Sequence, residues 1–361
     1  MTDTMYPTDV DFGTLDEIRD TALHLLHDDV ADFLEGGAGA EVTMAANRSG
    51  FRRRRILPEP MSGVGPATTA TTVLGMDLAT PIMVAPFGGD ALFHTDGHLA
   101  VSRAAQSAGI IDIVPEAGSF PYEAVRDAAP GAARIAQLHP FEQAPAVVDR
   151  IVAAGFDALC VTVDCPIGGY RTRNLRNRFS PDLAPFSGKV ATETSDGPRV
   201  AEVMGQLMSG GGRAWTWQDL EALTSSLPIP WIAKGILTPT AAQQAVDAGA
   251  SAIVVSNHGG RQVDPGPASI DMLPAVRDAV GPALPIILDS GIRSGADIFI
   301  ALAAGADAVI IGRSAIYGLA AGGESGVRRV IDLMTDELRT LMTLSGAAHI
   351  ADITADRIQE P

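Results

Sequence analysis

Cysteine is nearly absent from this chain: Cys160 and Cys165 are the only two in 361 residues. That excludes a disulfide framework and points to a reducing, cytoplasmic setting. The pair flanks the end of an apolar run, with no Cys or His cluster nearby in sequence to complete a ligand set, so no metal site is expected. Positive charge is also scarce. Lys and Arg number 26 against 43 Asp and Glu, giving a net charge of −17 and a pI near 4.7, which argues against nucleic acid or an anionic membrane as partner. An anionic substrate would have to be met by cations gathered locally. No apolar stretch approaches the roughly eighteen residues of a membrane span, and the acidic stretch from Met1 to Asp11 lacks the cationic flank and apolar core of a signal peptide. The last four residues carry no peroxisomal Ser-Lys-Leu address. Nor does a Gly-x-Gly-x-x-Gly turn follow an early strand, which removes the support for a doubly wound dinucleotide-binding sheet.

What the chain does have is apolar substance in a regular rhythm. Hydrophobic residues make up 46% of it at a mean hydropathy of +0.17, enough for a sizeable core. From Pro81 onward short apolar runs alternate with amphipathic segments. The runs are Ile82–Pro86, Ile110–Val114, Arg134–Leu138, Ala158–Asp164, Trp231–Gly235, Ala252–Asn257, Pro285–Asp289 and Ala308–Gly312. Helical spacing falls between them, over Gly97–Ala108, Tyr122–Ala129, Gln143–Ala154, Thr216–Ser226, Thr238–Ala248, Ile270–Val280, Ser294–Ala304 and from Ser314 on. Three near-copies of one corner, Ala154-Gly155-Phe156-Asp157-Ala158, Ala248-Gly249-Ala250-Ser251-Ala252 and Ala304-Gly305-Ala306-Asp307-Ala308, each put Gly where a helix ends. Eight such units predict an α/β protein of the (β/α)8 TIM-barrel class, a single domain over 1–361, with catalytic residues at the C-terminal ends of the strands.

Residues 1–80 read as an N-terminal helical cap and lead-in. One helix is expected from Leu15 to Phe33, with Leu15, Ile18, Ala22, Leu25, Leu26, Val30 and Phe33 on one face and Gly36-Gly37 as its stop. Arg52 to Arg55 reads as a solvated turn rather than a phosphate site. After the fourth strand, residues 165–215 are too long for a simple connection and rich in Gly, Pro, Ser and Arg. Ser187 to Pro198 and Gly210-Gly211-Gly212 mark this excursion as a mobile loop over the active-site mouth.

Polar residues gather where the strands end: Gln137 and His139, Thr162 and Asp164, Lys234, His258 and Arg261, Asp289, then Arg293 and Arg313, with Arg171 just beyond the fourth strand. The densest stretch is Ser256-Asn257-His258-Gly259-Gly260-Arg261-Gln262-Val263-Asp264. His258 titrates near neutral pH, Arg261 is a fixed cation, and the glycines between them let backbone approach a ligand. An imidazole base beside a guanidinium suits proton or hydride removal from a small acid. Leu288-Asp289-Ser290-Gly291-Ile292-Arg293 followed by Ile310-Ile311-Gly312-Arg313 carries the Gly-rich turns and cations of a phosphate site after the seventh and eighth strands.

The nonapeptide resembles the signature of the FMN-dependent α-hydroxy-acid oxidase and dehydrogenase family. Further resemblance lies in Asp32–Ala38 with Thr43 and Asn47, in Ala233-Lys234-Gly235-Ile236 and in the two Gly-Arg segments. It implies FMN as cofactor, with Ala85 and Pro86 near the isoalloxazine, Gln137 and Thr162 at its polar edge, and Lys234 beside its N1 and O2. Asp289 falls on the ribityl chain, while Gly291, Arg293, Gly312 and Arg313 fall at the phosphate and Ser256 on the cofactor side. Arg171 and Arg261 would clamp a substrate carboxylate, His258 would take a proton and Asp164 would orient the imidazole. A homotetramer and oxygen or a soluble electron acceptor are implied as well.

Three departures redraw the pocket: Phe33 and His139 stand where the family offers tyrosine hydroxyls to the substrate, and Pro115 replaces a serine near the flavin. Both Phe33 and His139 remain candidates for substrate contact. The expected function is oxidation of a 2-hydroxy acid to a 2-oxo acid, with a bulkier or less ordinary substrate than glycolate or lactate. An FMN-dependent C–N oxidase acting on an amine or a modified peptide is one alternative, disfavoured by the two arginines. A catalytically silent flavin-binding protein is the other, disfavoured by His258, Lys234 and Asp164.

Overall fold

A computed structural model of the chain describes residues 11–141, 144–180, 184–186, 188 and 214–360. Eight parallel strands, β1 (Ile82–Val84), β2 (Ile111–Val114), β3 (Arg134–Leu138), β4 (Ala158–Thr162), β5 (Trp231–Ile236), β6 (Ala252–Val255), β7 (Ile286–Leu288) and β8 (Ala308–Ile311), close into a barrel in chain order. The ring shuts with Val309 of β8 opposite Ile82 of β1. Side chains alternate along a strand, so each short run supplies two cores at once. Met83, Ile113, Ile135, Cys160, Val254 and Ile310 share the barrel interior, while Val84, Leu138, Leu159, Val161, Leu288 and Ile311 pack with the helices. A hairpin of Thr71–Val73 and Met76–Leu78 adds Val73 and Leu78 to the interior set and stoppers the end away from the strand C-termini.

The helices are α1 (Leu15–Leu25), α2 (Asp28–Glu35), α3 (Val42–Arg53), α4 (Gly97–Ala108), α5 (Tyr122–Ala128), α6 (Ala144–Ala153), α7 (Thr172–Asn177), α8 (Trp217–Thr224), α9 (Pro239–Asp247), α10 (Ser269–Val280), α11 (Gly295–Ala303) and α12 (Arg313–Leu344). Their starts follow from local chemistry. Thr238 accepts a hydrogen bond from Ala241 N with Pro239 opening the helix, and Ser294 caps α11 through Asp297 N. The repeated corner behaves as its sequence requires, with φ of +75° at Gly155, +87° at Gly249 and +109° at Gly305.

Three expectations need correction. The helix from Leu15 to Phe33 is two helices, because Leu26 and His27 are both extended. Asp28 and Asp29 begin the second, where acidic residues favour a fresh N-terminus, while the apolar spacing carries across the break because both helices face one core. Arg52 to Arg55 is not a solvated turn throughout. Arg54 is buried and pairs with Asp271 at 2.8 Å and Glu360 at 2.9 Å, tying α3 to α10 and to the C-terminal strand Ile358–Gln359. Finally, the barrel strands β1, β4, β6, β7 and β8 stop one or two residues short of the expected ends, and the residues beyond them belong to the site loops. The glycine triplet at 210–212, nearly all of 187–198 and Gln143 lie outside the described residues. Among the described residues no helix is long and apolar enough to cross a membrane.

The loop from β1 to α4 depends on one fully buried carboxylate. Asp90 accepts from His98 N at 2.6 Å and Ser119 N at 2.6 Å, and one of its oxygens lies 3.3 Å from His98 Nδ1. Burial alone would push its pKa up, but the contacts with His98 and Ser119 outweigh it and hold it below the usual carboxylate value. A carboxylate lowered in this way stabilises the fold above its unfolded pKa and loses that contribution as pH falls through the folded one. Asp90→Asn leaves one backbone N–H without its acceptor and is expected to cost about 1–3 kcal/mol at neutral pH. Denaturant unfolding across a pH series checks this, with the gap between variant and parent narrowing on acidification.

Candidate active site

β6 delivers its chemistry at once. Beyond Val255 the chain turns through Ser256 to Asp264, and His258 sits there with φ +58°, a conformation rare for a residue with a side chain. Its surroundings hold it. His258 N donates to Ser256 Oγ at 3.0 Å, Gly259 N donates to Ser290 Oγ at 2.9 Å, and Gly260 N donates to Asn257 Oδ1 at 3.0 Å. Asp164, just past β4, brings Oδ1 to 3.3 Å from His258 Nδ1. That approach depends on a missing side chain: β5 is irregular between Lys234 and Ile236, and a Cβ on the intervening Gly235 would lie 2.5 Å from Asp164 Cγ.

The electrostatics fit a neutral base. Burial lowers the His258 pKa below its ordinary value and the nearby Asp164 charge only partly opposes that. Burial would raise Asp164, yet His258 and Lys234 outweigh it and hold the carboxyl at about 2. A carboxylate facing Nδ1 assigns the ring proton to that nitrogen and leaves the lone pair on Nε2.

Cations surround this pair. Lys234, from β5, lies 3.2 Å from Asp289 Oδ2 and 3.4 Å from Ser256 Oγ. Burial opposes its charge, but Asp289 and Asp164 prevail and hold it above the usual lysine range. Arg171 has a buried Nε with no hydrogen-bond partner among the described residues. Arg261 donates to the carbonyls of Phe33 at 2.7 Å and Gly36 at 2.8 Å. Arg313 reaches the carbonyls of Leu34, Gly259 and Gly36, which fastens the cap to the start of α12. Arg293 donates to Ile292 O. Burial lowers the pKa values of Arg261 and Arg313, and repulsion from Arg171, from Arg293 and between the two lowers them further. Anions bound among them would relieve both effects.

The remaining candidates fall around the same strand ends. Ala85 N donates to Ile311 O at 2.9 Å, and a Cβ on Gly312 would stand 3.7 Å from that of Ala85, so β1 and β8 present adjoining backbone with Pro86 next in line. Gln137 Nε2 donates to Thr162 Oγ1 at 3.0 Å. Gly291, at φ +104°, lies against Asn47 of α3. Phe33 stacks on Phe179 at 4.7 Å between ring centroids, meets Phe186 edge-on at 6.4 Å and lies beneath the Arg261 guanidinium at 5.0 Å. His139 stacks on Phe141 at 5.3 Å.

Sequence reasoning passed over three features. Glu116, just past β2, is buried and receives His139 N at 2.8 Å, with its Oε2 3.1 Å from His139 Nδ1. Reading the residues after β2 by the same strand-end rule would have found it. Asn257 and Asn47 exchange side-chain hydrogen bonds at 2.8 and 2.7 Å, joining the cap to the signature. No local pattern signals that contact across 210 positions. Cys165, expected to lack metal-ligating neighbours, has its Sγ 3.3 Å from His258 Nδ1 because the barrel brings β4 and β6 together from 93 residues apart.

The chain matches the FMN-dependent dehydrogenase family over residues 22–360. It is 38% identical over 351 residues to the peroxisomal (S)-2-hydroxyacid oxidase GLO3 of Arabidopsis thaliana, covering 96% of each chain. To the L-lactate oxidase of a Nostoc species it is 40% identical over 336 residues, covering 89% of this chain and 91% of that one. A crystal structure of mandelate oxidase with benzoyl-formic acid superposes with a TM-score of 0.86 at 33% identity, covering 96% of this chain and 98% of the other.

Arg313 offers a direct check on how the cap is fastened. Arg313→Met keeps the stem but leaves Gly259 O without its donor and Leu34 O and Gly36 O with Arg261 alone, and a loss of about 1–3 kcal/mol is expected in thermal or denaturant unfolding.

Proposed function

This chain belongs to the FMN-dependent dehydrogenase family, and on that footing we propose that it oxidises a 2-hydroxy acid with a bulky, largely apolar side chain to the corresponding 2-oxo acid. It is an oxidoreductase acting on CH–OH, with FMN as its cofactor. The residues present fit that group. Lys234 is a buried, permanently charged donor beside Asp289 and Ser256. Arg293 and Arg313 are cations with no carboxylate within ion-pairing distance among the described residues, each close in the chain to a glycine, Gly291 or Gly312. Ala85, Pro86, Gln137 and Thr162 would line the ring. When bound, FMN accepts the two electrons that leave the substrate carbon.

The chain's own residues do the rest. Arg171 and Arg261 bind the substrate carboxylate by charge-assisted hydrogen bonds and fix its orientation. His258 accepts a proton from the substrate at Nε2, and Asp164 stabilises the imidazolium across Nδ1. The observation that carries this reading is His258 held 3.3 Å from Asp164 while Arg171 and Arg261 have no carboxylate within ion-pairing distance among the described residues. Phe33 with Phe179 and Phe186 supplies an apolar wall where relatives of this type would offer a hydroxyl, which favours a large apolar group on the substrate. His139, braced by Glu116, gives that pocket its second polar contact. Oxygen or a soluble acceptor would take up the electrons, and a homotetramer in the cytoplasm is the proposed setting.

Anaerobic bleaching of the visible flavin band by a panel of 2-hydroxy acids tests the reaction. Bulky aryl or branched acids are expected to reduce the flavin faster than glycolate or lactate, and equal or better reduction by the small acids would sink the substrate assignment. Reduction by amines alone would favour a C–N oxidase, and no reduction by either a silent flavoprotein. His258→Asn is expected to slow reduction by about a hundredfold or more while leaving the bound flavin spectrum in place. Restoring hydroxyls with Phe33→Tyr and His139→Tyr is expected to shift preference toward small acids by roughly tenfold, read from the ratio of kcat/KM values.

A further inference from the structure

Asp164, Cys165 and His258 place a carboxylate oxygen, a sulfur and an imidazole nitrogen within 4.8 Å of one another. Cys165 Sγ lies 3.3 Å from His258 Nδ1 and 3.6 Å from Asp164 Oδ1, and the latter two are 3.3 Å apart. These are the edges of a coordination tetrahedron. Zinc-class bonds of about 2.3 Å to sulfur and about 2.0–2.2 Å to nitrogen or oxygen, opened to the tetrahedral angle, space the donors roughly 3.3–3.7 Å apart. Hydrogen bonding alone leaves the cluster incomplete, since Asp164 Oδ2 is buried without a partner among the described residues. Cys165 is 5% exposed while the His258 side chain is 26% exposed, so access runs along the imidazole edge.

We infer that these three residues form a site for a thiophilic divalent cation, zinc or cadmium, whose binding switches off the base. The inhibitory part rests on the proposed role of His258. When the cation binds, a metal–sulfur bond replaces the S–H bond and the thiol proton leaves for solvent. The imidazole proton moves from Nδ1 to Nε2 as Nδ1 takes up the metal. The ring then has no lone pair free for the substrate's proton. One proton is released overall, no electron moves, and the fourth coordination position stays open to water. Thiolate and carboxylate balance the dication, but Lys234 and Arg171 act on the same spot with positive charge. They hold the affinity below that of a structural zinc site and keep the binding reversible.

The test uses FMN-loaded enzyme with Cd2+ and Zn2+. One equivalent of Cd2+ is expected to produce a thiolate-to-metal absorption in the ultraviolet with release of one proton, and Zn2+ to slow anaerobic flavin reduction at least about tenfold, reversed by EDTA. In Cys165→Ala the absorption disappears and the Zn2+ concentration for half inhibition, measured against that variant's own metal-free rate, rises by at least about tenfold. If that variant does not fold, Co2+ added to the unaltered holoenzyme decides, because a tetrahedral sulfur-bearing site gives an intense visible spectrum. Absence of both metal–thiolate signals overturns the site, as does equal Zn2+ sensitivity with and without Cys165. A metal–thiolate signal without slowed reduction keeps the site but overturns the switch, and points to a different base. Should no 2-hydroxy acid reduce the flavin even without metal, the proposed reaction fails while the Cd2+ signal still judges the site.

Discussion

An imidazole held against a partly buried carboxylate is the contact on which the rest of the site depends. Neither partner reaches its charge state alone. Burial would raise the Asp164 pKa and does lower that of His258, so the ionised acid beside the neutral base exists only because Lys234 and the imidazole favour the carboxylate. The geometry depends on Gly235, since the carboxylate occupies space that any Cβ there would invade. It also needs His258 in a left-handed backbone conformation, maintained by Ser256 on its own strand end and by Ser290 from the neighbouring β7 loop. Four adjacent strands, β4 to β7, and one absent side chain therefore fix the setting of a single imidazole.

The cations answer a different constraint. A chain of net charge −17 does not attract anions by its overall field. It concentrates Arg171, Arg261, Arg293, Arg313 and Lys234 at one rim, where low exposure and mutual repulsion make anion binding the relief of an existing cost. Arg261 and Arg313 have a second task, since their donors also hold the carbonyls of residues 33–36. The cap is thus attached to the barrel through the same side chains that the proposed function assigns to ligand binding. Cap position and ligand electrostatics are coupled, and Phe33 is carried into the pocket by that attachment.

Much of the barrel was legible in the sequence, because its signals are local. Short apolar runs need only alternate to fill both cores, and a helix-ending glycine needs only the residue before it. The strand ends named their polar residues for the same reason. What escaped was set by distance along the chain or by a pattern that stays silent. The break at Leu26 and His27 leaves helical periodicity intact, so spacing did not reveal it. Arg54 looked solvated because its partners, Asp271 and Glu360, lie more than two hundred residues away. Cys165 looked isolated because His258 reaches it only once the barrel closes. Glu116 carries the same local signal as the other strand-end residues, standing two positions past the end of β2.

The substrate question turns on how Phe33 and His139 differ from the tyrosines that the resemblance leads one to expect. A tyrosine offers a hydroxyl donor at the end of an apolar ring. Phe33 keeps the ring and extends it into an aromatic group with Phe179 and Phe186, so the lost hydrogen bond is exchanged for apolar contact area that a small acid cannot use. His139 does the converse, placing a polar ring whose Nδ1 lies 3.1 Å from Glu116 Oε2. Small acids lose a donor at this point and gain nothing from the aromatic wall, whereas a substrate with a large apolar group recovers affinity through burial, at about 25 cal/mol per Å2. On the proposed function both departures would disfavour glycolate-sized molecules, and they would do so without altering His258, Asp164 or the arginines to which that proposal assigns the reaction.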